Sequence, residues 1–330
     1  MVLTFLRRLT VESDARLAPA WLRLFRPPSG LLIFAFHSLF ESDDEARQGV
    51  LDPQQAITTG MFRTFVENFM ENGYQLVSPD QIAAGLESRA QYAMITFDDG
   101  YANNLRALPV LEEFRVPAVF CISANHVLTG KPFWWDVLYR EARQQKWTEE
   151  KLNRTRAALK SMRTCDAEGQ IVGEFGQTAF CLVSDLDRPL TPRELADFAR
   201  HPFVHIGSHT WDHAILTNYP AQELREQIQK AQESLEKMTG KVPKVLAYPN
   251  GNVGTEIVQA AQDTGLSLGL TVRPGRNPIP SSLSTAASLQ LRRHTLWGDR
   301  DIATQCVVAR SPLSLQSAML SIRSKVAATT

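Results

Sequence analysis

Cysteine is scarce in this sequence, with four residues among 330. The four, at positions 121, 165, 181 and 306, are far apart and form no C-x-x-C pair. This spacing excludes zinc clusters of the finger type, and a disulfide framework is not expected in a chain of this length. Cys121 lies in the apolar stretch AVFCIS and is expected to be a small buried hydrophobic residue.

The sequence also lacks net charge and long apolar runs. Lys and Arg together number 35, as do Asp and Glu, so no broad basic surface for nucleic acid is predicted. No window of 18 uncharged apolar residues is present, which argues against a transmembrane helix. The first residues have neither the apolar core nor the cleavage site of a signal peptide, so we expect a cytoplasmic protein, with peripheral attachment to a membrane as the alternative. Residues 17–25 are expected to form a short amphipathic helix that packs on the domain rather than contacting a membrane.

Short apolar runs alternate with amphipathic stretches along the chain, which predicts an α/β protein. About seven or eight strand–helix alternations suit a distorted (β/α) barrel or a long parallel sheet. We expect strands at 30–39, 74–78, 92–97, 117–123, 203–209, 244–249, 266–272 and 289–296. We expect helices at 58–74, 78–88, 103–114, 190–200, 220–240 and 254–265, the first of them burying Phe62, Phe65, Phe69 and Met70 on one stripe.

The alternation stops at residues 129–189, which we interpret as a helical insertion into a barrel domain of residues 30–310. A helical extension at 1–29 and a C-terminal helix or tail at 311–330 complete the predicted organisation. The insertion contains PFWWD, in which Trp134 and Trp135 are expected to anchor packing, with stacking on a sugar as the alternative. We expect the insertion to form a wall of the substrate groove.

Three apolar strands end in residues that can carry chemistry. The first ends in Asp98-Asp99-Gly100, the second in GSHTWDH with His209 and His213, and the third in AYPNG. Because the carboxyl ends of parallel strands meet on one face of an α/β fold, we expect these side chains to lie together.

The residue types in this group suit a divalent metal. If their segment is helical, the spacing His209-x-x-x-His213 places both imidazoles on one face. With one carboxylate they form a set of two His and one Asp that leaves positions open for water and substrate. The adjacent Asp98 and Asp99 then need different roles: one binds the cation, whose charge relieves their repulsion, and the other accepts a proton from water. Gly100 allows the tight turn that brings both side chains to the site.

These motifs resemble those of a known family. TFDDGY followed by GSHTWDH is similar to the first two motifs of the polysaccharide deacetylases of carbohydrate esterase family 4, which share the NodB-homology domain. FAFHSL resembles the opening strand of the branch that acts on exopolysaccharide and poly-N-acetylglucosamine. VLAYPNG and LRRHTL resemble later family motifs, and the likeness extends over residues 31–297. The resemblance implies a distorted (β/α) barrel of about seven strands and a metal-dependent sugar deacetylase.

The resemblance also assigns roles to individual residues. Asp98 is implied as the general base. Asp99, His209 and His213 are implied as ligands of a divalent metal, with zinc expected and other transition metals as alternatives. The turn of Tyr248, Pro249 and Asn250 is implied to supply a backbone N–H for the oxyanion.

Four further positions complete the expected site. Many family members carry an arginine at the third motif that pairs with the catalytic aspartate, and here Ala247 stands in its place. Arg293, from the last strand, is our candidate to replace that arginine, with a surface ion pair as the alternative. His37, at the end of the first strand, is our candidate for the general acid. Tyr101 and Trp211 flank the motifs and either line the sugar site or pack.

The function expected from these residues is hydrolysis of the acetyl group of an N-acetylated sugar. The substrate is a glycan or a glycan precursor, such as a lipid- or nucleotide-linked intermediate, and partner proteins are unknown. Two alternatives stay open. One is removal of another acyl group, an O-acetyl ester or an N-formyl group. The other is a non-catalytic glycan-binding pseudoenzyme.

Overall fold

Eight parallel strands form the centre of the fold in the computed structural model, which describes residues 2–279 and 283–313 and only the backbone of 2–11. Residues 314–330 of the predicted C-terminal tail lie outside the described residues. The strands are β1 (Gly30–Phe36), β2 (Gln75–Leu76), β3 (Gln91–Phe97), β4 (Ala118–Ile122), β5 (Val204–Ser208), β6 (Val245–Ala247), β7 (Leu268–Leu270) and β8 (His294–Thr295).

Helices connect most of these strands. They are α1 (Val2–Leu24), α2 (Asp43–Arg47), α3 (Thr59–Glu71), α4 (Pro79–Ala84), α5 (Leu108–Phe114), α6 (Ala124–Thr129), α7 (Trp134–Gln144), α8 (Glu149–Leu159), α9 (Thr164–Phe175), α10 (Pro192–Ala199), α11 (Ala221–Thr239), α12 (Thr255–Asp263), α13 (Thr285–Ser288) and α14 (Ile302–Arg310). Short 3-10 helices occur at Ala102–Ala107, Gln177–Phe180, Leu216–Asn218 and Pro249–Gly251. Within the described residues, no helix is both long enough and apolar enough to cross a membrane.

The strands form a distorted barrel, as the sequence predicts. Their order is β7-β6-β5-β4-β3-β1-β8, and β2 pairs with β3. A parallel bridge between Leu270 and Leu291 joins β7 to the segment that precedes β8. Two backbone hydrogen bonds secure this junction, Thr271 N to Leu291 O at 2.8 Å and Leu291 N to Gly269 O at 2.8 Å. All registered pairs are parallel, so the carboxyl ends of the strands share one face.

Local sequence explains where several helices begin and end. Ser78 and Gln81 form a capping box with Pro79 in the first turn of α4, and Thr191 and Glu194 do the same for α10. The helix α11 ends at Gly240, which adopts a left-handed conformation with φ 72° that glycine tolerates without strain. The boundaries of α10 and α11 and the start of α4 confirm the predicted helices, whereas α4 ends at Ala84, before the predicted end at residue 88.

Other local predictions were wrong in detail. Met70 is 41% exposed, and Val66 occupies the buried stripe of α3 instead. The helix expected at 103–114 begins as a 3-10 turn, and α5 starts only at Leu108, where Pro109 occupies an early position that needs no N–H donor. The last strand is only two residues long, and the loop before it contains the short helix α13.

The N-terminal helix is longer than expected and packs by a different face. It spans Val2–Leu24 and lies against α14. Asp14 and Ala18 are buried, whereas Leu17, Leu24 and Phe25 are exposed. A small residue at the contact allows close packing, which the apolar pattern of 17–25 does not reveal.

Residues between β4 and β5 form an α-helical layer with its own apolar cluster. This cluster includes Trp134, Trp135 and Leu152 of the insertion together with Tyr101 from the barrel. Trp134 and Trp135 are 4% and 6% exposed, which confirms their expected role as packing anchors. All four cysteines are free, and Cys121 is buried as predicted.

Candidate metal-dependent active site

Asp98 and Arg293 form a buried ion pair at the end of β3. The Arg293 guanidinium donates from Nη1 to Asp98 Oδ1 at 2.8 Å and from Nη2 to Oδ2 at 2.7 Å. Its other donors are also used, Nε to Thr271 O at 2.8 Å and Nη1 to Thr96 Oγ1 at 3.1 Å. The two residues are 2% and 1% exposed. This geometry excludes the surface-pair alternative for Arg293, and its neighbour Arg292 is exposed as strand alternation predicts.

The ion pair keeps Asp98 in its charged form. Burial is the largest single effect and would raise the pKa of Asp98, but the charge and hydrogen bonds of Arg293, together with the charges of His209 and His37, outweigh it. The pKa of Asp98 therefore lies well below its usual range. A carboxylate held in this state is available to accept a proton at neutral pH.

Asp99 turns the other way and faces two imidazoles. Its Oδ1 lies 3.4 Å from Nε2 of His209 and 3.4 Å from Nε2 of His213. The three ligand atoms that these residues offer lie within 4.8 Å of one another. Asp99 is 1% exposed, yet neither carboxylate oxygen has a hydrogen-bond partner among the described residues. Because a buried carboxylate without a partner is costly, this arrangement suits a bound cation.

The metal-ligand segment is a turn, so the two imidazoles are not brought together by a helical face. Residues 209–213 have no helical assignment, and Thr210 and His213 are left-handed at φ 65° and 57°. Asp99 is also left-handed, at φ 77°. Residues other than glycine rarely adopt this conformation, and such strain occurs at functional sites. At Gly100 an added Cβ would lie 3.1 Å from Ile122 Cδ1, and φ is 95°, so the turn requires glycine there.

The two histidines are supported in different ways. Nδ1 of His209 lies 2.8 Å from Ala247 O, so it carries the proton and leaves Nε2 free toward Asp99. Nδ1 of His213 has no partner among the described residues, and its ring instead contacts Trp135 with centroids 4.3 Å apart. Burial and the neighbouring His209 hold the pKa of His213 well below its usual range, which leaves the imidazole neutral and able to bind a cation.

Tyr101 lies inside the protein and packs there, which is the second of the two roles expected for it. It is fully buried, and its hydroxyl donates to Asp136 Oδ2 at 2.6 Å while accepting from Trp135 Nε1 at 2.9 Å. Asp136 Oδ1 accepts from Asp52 N at 2.9 Å. This chain of hydrogen bonds fixes Trp135 against His213 and so connects the insertion to the metal-ligand set.

His37 sits at the end of β1 and is oriented by Gln55, a residue that the motifs did not indicate. Nδ1 of His37 lies 2.7 Å from Gln55 Oε1. The Gln55 amide donates to Ala35 O at 2.6 Å and Leu296 O at 3.2 Å, so its oxygen is the acceptor. His37 therefore carries its proton on Nδ1 when neutral. Asn104 also donates to His37 O at 2.7 Å, which ties the DDGYANN segment to β1.

The third motif divides between the site and the core. Tyr248 is fully buried, and its hydroxyl donates to Leu289 O at 2.8 Å, so its side chain is part of the core. Pro249 and Asn250 form the turn after β6, with Asn250 left-handed at φ 58°. The Asn250 side chain is exposed and accepts from Lys160 Nζ at 3.1 Å. Only the turn itself can contribute to the site.

Tyr248→Phe is expected to lower the free energy of unfolding by about 1–2 kcal/mol, because the Leu289 carbonyl would lose a buried donor. Urea denaturation of the variant and the wild type measures this difference. Zinc affinity is expected to be unchanged. A loss of zinc affinity larger than the loss of stability would place the Tyr248 hydroxyl back in the site.

Two other residues lie close to the ligand set. Trp211 is half-buried, with the Lys230 ammonium 3.9 Å from its ring centroid, so one face of the ring is already covered. His126, which no motif indicated, is 1% exposed and stacks on Phe133 with centroids 4.3 Å apart. Burial lowers the pKa of His126 to about 3, and the Asp99 charge acts on it in the opposite direction.

Comparisons with known proteins agree with this geometry. The sequence profile described as "Polysaccharide deacetylase" matches residues 86–269, more than half of the chain. The Bacillus subtilis protein named "Putative polysaccharide deacetylase YxkH" is 22% identical over 262 residues, covering 78% of this chain and 69% of the relative.

Two solved structures share the fold. The Streptococcus pyogenes deacetylase PplD, solved with acetate, has a TM-score of 0.55 at 15% identity, covering 84% of this chain and 97% of its own. IcaB from Ammonifex degensii has a TM-score of 0.58 at 15% identity, covering 86% of this chain and 99% of its own. The profile match together with the motifs on the barrel face shows that this chain belongs to the polysaccharide deacetylase family.

Proposed function

We propose that this protein hydrolyses the acetyl group of an N-acetylated amino sugar in a glycan or glycan precursor, releasing acetate and a free amine. One observation carries the proposal. An ionised carboxylate, Asp98, is next to a buried Asp99 carboxylate that has no hydrogen-bond partner among the described residues and whose ion-pair partners there are the Nε2 atoms of His209 and His213. That combination supports a proton acceptor beside a cation site.

The residues fit a divalent metal, and we infer zinc because two imidazoles and one carboxylate are a common zinc ligand set. Asp99 Oδ1 and the Nε2 atoms of His209 and His213 would hold it. When bound, the cation would polarise the acetyl carbonyl and make a water molecule more acidic.

The chain's own residues supply the proton transfers. Asp98, kept ionised by Arg293, accepts the proton from the attacking water as the water oxygen bonds to the carbonyl carbon. The backbone N–H of Asn250, in the turn after β6, would donate to the developing oxyanion. His37 protonates the departing nitrogen as the carbon–nitrogen bond breaks, in an orientation set by Gln55.

The test is acetate release from N-acetylhexosamine oligomers by protein stripped of metal and then reloaded with zinc. We expect release only after reloading. Formate from N-formyl sugars, or acetate only from O-acetyl esters, would identify a different acyl group. Zinc bound at one per chain with glycan binding but no release from any substrate would favour the pseudoenzyme.

A further inference from the structure

The insertion places a lysine at the edge of the site. Lys160 follows the last residue of α8, and its ammonium donates to Asn250 Oδ1 at 3.1 Å. Asn250 belongs to the turn after β6 from which the oxyanion donor is proposed. The side chain of Lys160 thus bridges the insertion and the turn while remaining exposed to solvent.

The backbone of Lys160 is held by a second turn. Asn218 donates from Nδ2 to Lys160 O at 3.0 Å and to Met162 O at 2.7 Å. Asn218 lies in the 3-10 turn that closely follows His213. Contacts to both turns therefore fix the position of this lysine.

In the part of the chain that the structure describes, Lys160 has no acidic partner in direct contact, although two carboxylates act on it from further away. Burial and Arg156 lower the pKa of Lys160, whereas Asp52 and Asp99 act to raise it. Among the ion pairs of the described residues, none includes Lys160, whereas Arg156, one helical turn earlier, pairs with Asp52 at 2.6 Å. The Asp98 carboxylate is paired with Arg293 and so does not pair with Lys160. With a divalent cation held by the single Asp99 carboxylate, and with Asp52 and Asp98 each paired to an arginine, the edge of the site would carry a net positive charge. Such a charge attracts anions and disfavours cations.

We propose that Lys160 binds an anionic group of the substrate, a phosphate or a carboxylate, that lies next to the acetylated sugar. The inference rests on the proposed function, since it names the class of glycan that the same site accepts. The anion would replace the Asn250 amide oxygen as the partner of the ammonium. A lysine suits this role because its flexible stem carries a point charge that can follow different anion positions.

The test compares three substrates on the zinc-loaded chain. They are N-acetylglucosamine 1-phosphate, a disaccharide of N-acetylglucosamine and glucuronic acid, and the neutral N,N′-diacetylchitobiose. For Lys160→Met we expect KM of an anionic substrate to rise about 10- to 100-fold more than KM of the neutral one, the loss of one charge-assisted hydrogen bond. Lys160→Arg should retain most of the preference. Lys237→Met, which removes a surface charge on α11, is the control and should change neither KM.

The outcomes separate this inference from the proposed function. If Lys160→Met raises KM for the sugar phosphate, the anionic group is a phosphate. If it raises KM for the glucuronic acid disaccharide, the group is a carboxylate. Equal changes for all three substrates would overturn the inference while leaving the deacetylase intact. If no substrate releases acetate, titration calorimetry with N-acetylglucosamine 1-phosphate decides instead. Binding that Lys160→Met weakens at least tenfold would support the anion site, and no difference between the proteins would overturn it.

Discussion

Asp98→Asn is expected to lower kcat by about 10²- to 10⁴-fold, the usual contribution of a positioned general base. The amide cannot accept the proton from water, whereas its oxygen can still accept one hydrogen bond from Arg293. Because Asp98 is paired with Arg293 and Asp99 faces the histidines, the variant should still bind one zinc per chain. Acetate release and metal content by mass spectrometry measure the two effects.

Asp99→Asn is the matched control, one position along the chain. It should lose zinc, because the ligand carboxylate is replaced by a weaker neutral donor. Zinc loss in Asp98→Asn with retention in Asp99→Asn would show that the two roles are reversed. Thermal unfolding of both variants checks that each is folded. This control is needed because Asp98→Asn leaves the Arg293 charge without its anion.

Arg293→Met is expected to destabilise the fold by about 3–5 kcal/mol, since it leaves a buried carboxylate without its partner. The double variant with Asp98→Asn should regain part of that stability, because no buried charge then remains unpaired. Urea denaturation of the two single variants and the double variant gives the coupling. If the double variant lost as much free energy of unfolding as Arg293→Met alone, the pair would contribute through packing alone.

The same substitution should move the acid limb of the activity profile to higher pH. In the wild type the lowered pKa of Asp98 contributes stability that is present above the pKa of an unfolded Asp and is lost as pH falls through the folded value. Without Arg293, burial becomes the dominant effect and raises the pKa of Asp98, so the base is protonated at a higher pH. Arg293→Lys retains a charge and should shift the limb less. A profile that does not move in Arg293→Met would show that Asp98 is not the group whose titration sets the acid limb.

Much of the candidate site could be predicted because its residues lie at strand ends. Asp98, Asp99 and His209 follow apolar runs, and parallel strands bring such ends to one face whatever their distance along the chain. Arg293 was predicted from the missing arginine of the third motif, and strand alternation separated it from Arg292. The type of these residues and their positions along the chain predict the site without knowledge of how the chain packs.

Other features had no such signal. Gln55 lies in an irregular segment, and its effect on His37 depends on two carbonyls, from Ala35 and Leu296, that are remote from each other in sequence. Trp135 meets His213 only because the insertion folds back over the barrel. Tyr248 was assigned to the site because it stands next to residues that do reach it, yet strand alternation turns its side chain into the core.

The sequence alone determined the α/β class, the position of most strands and the pairing of a carboxylate with two histidines, because apolar periodicity and residue type are local properties. The tertiary structure decided the left-handed turn at Asp99 and His213, closure of the barrel through Leu270 and Leu291, and the placing of Lys160 beside Asn250. Each of these depends on contacts between segments that are distant in sequence. The energies of such contacts outweigh local conformational preference, and no local sequence pattern reveals them.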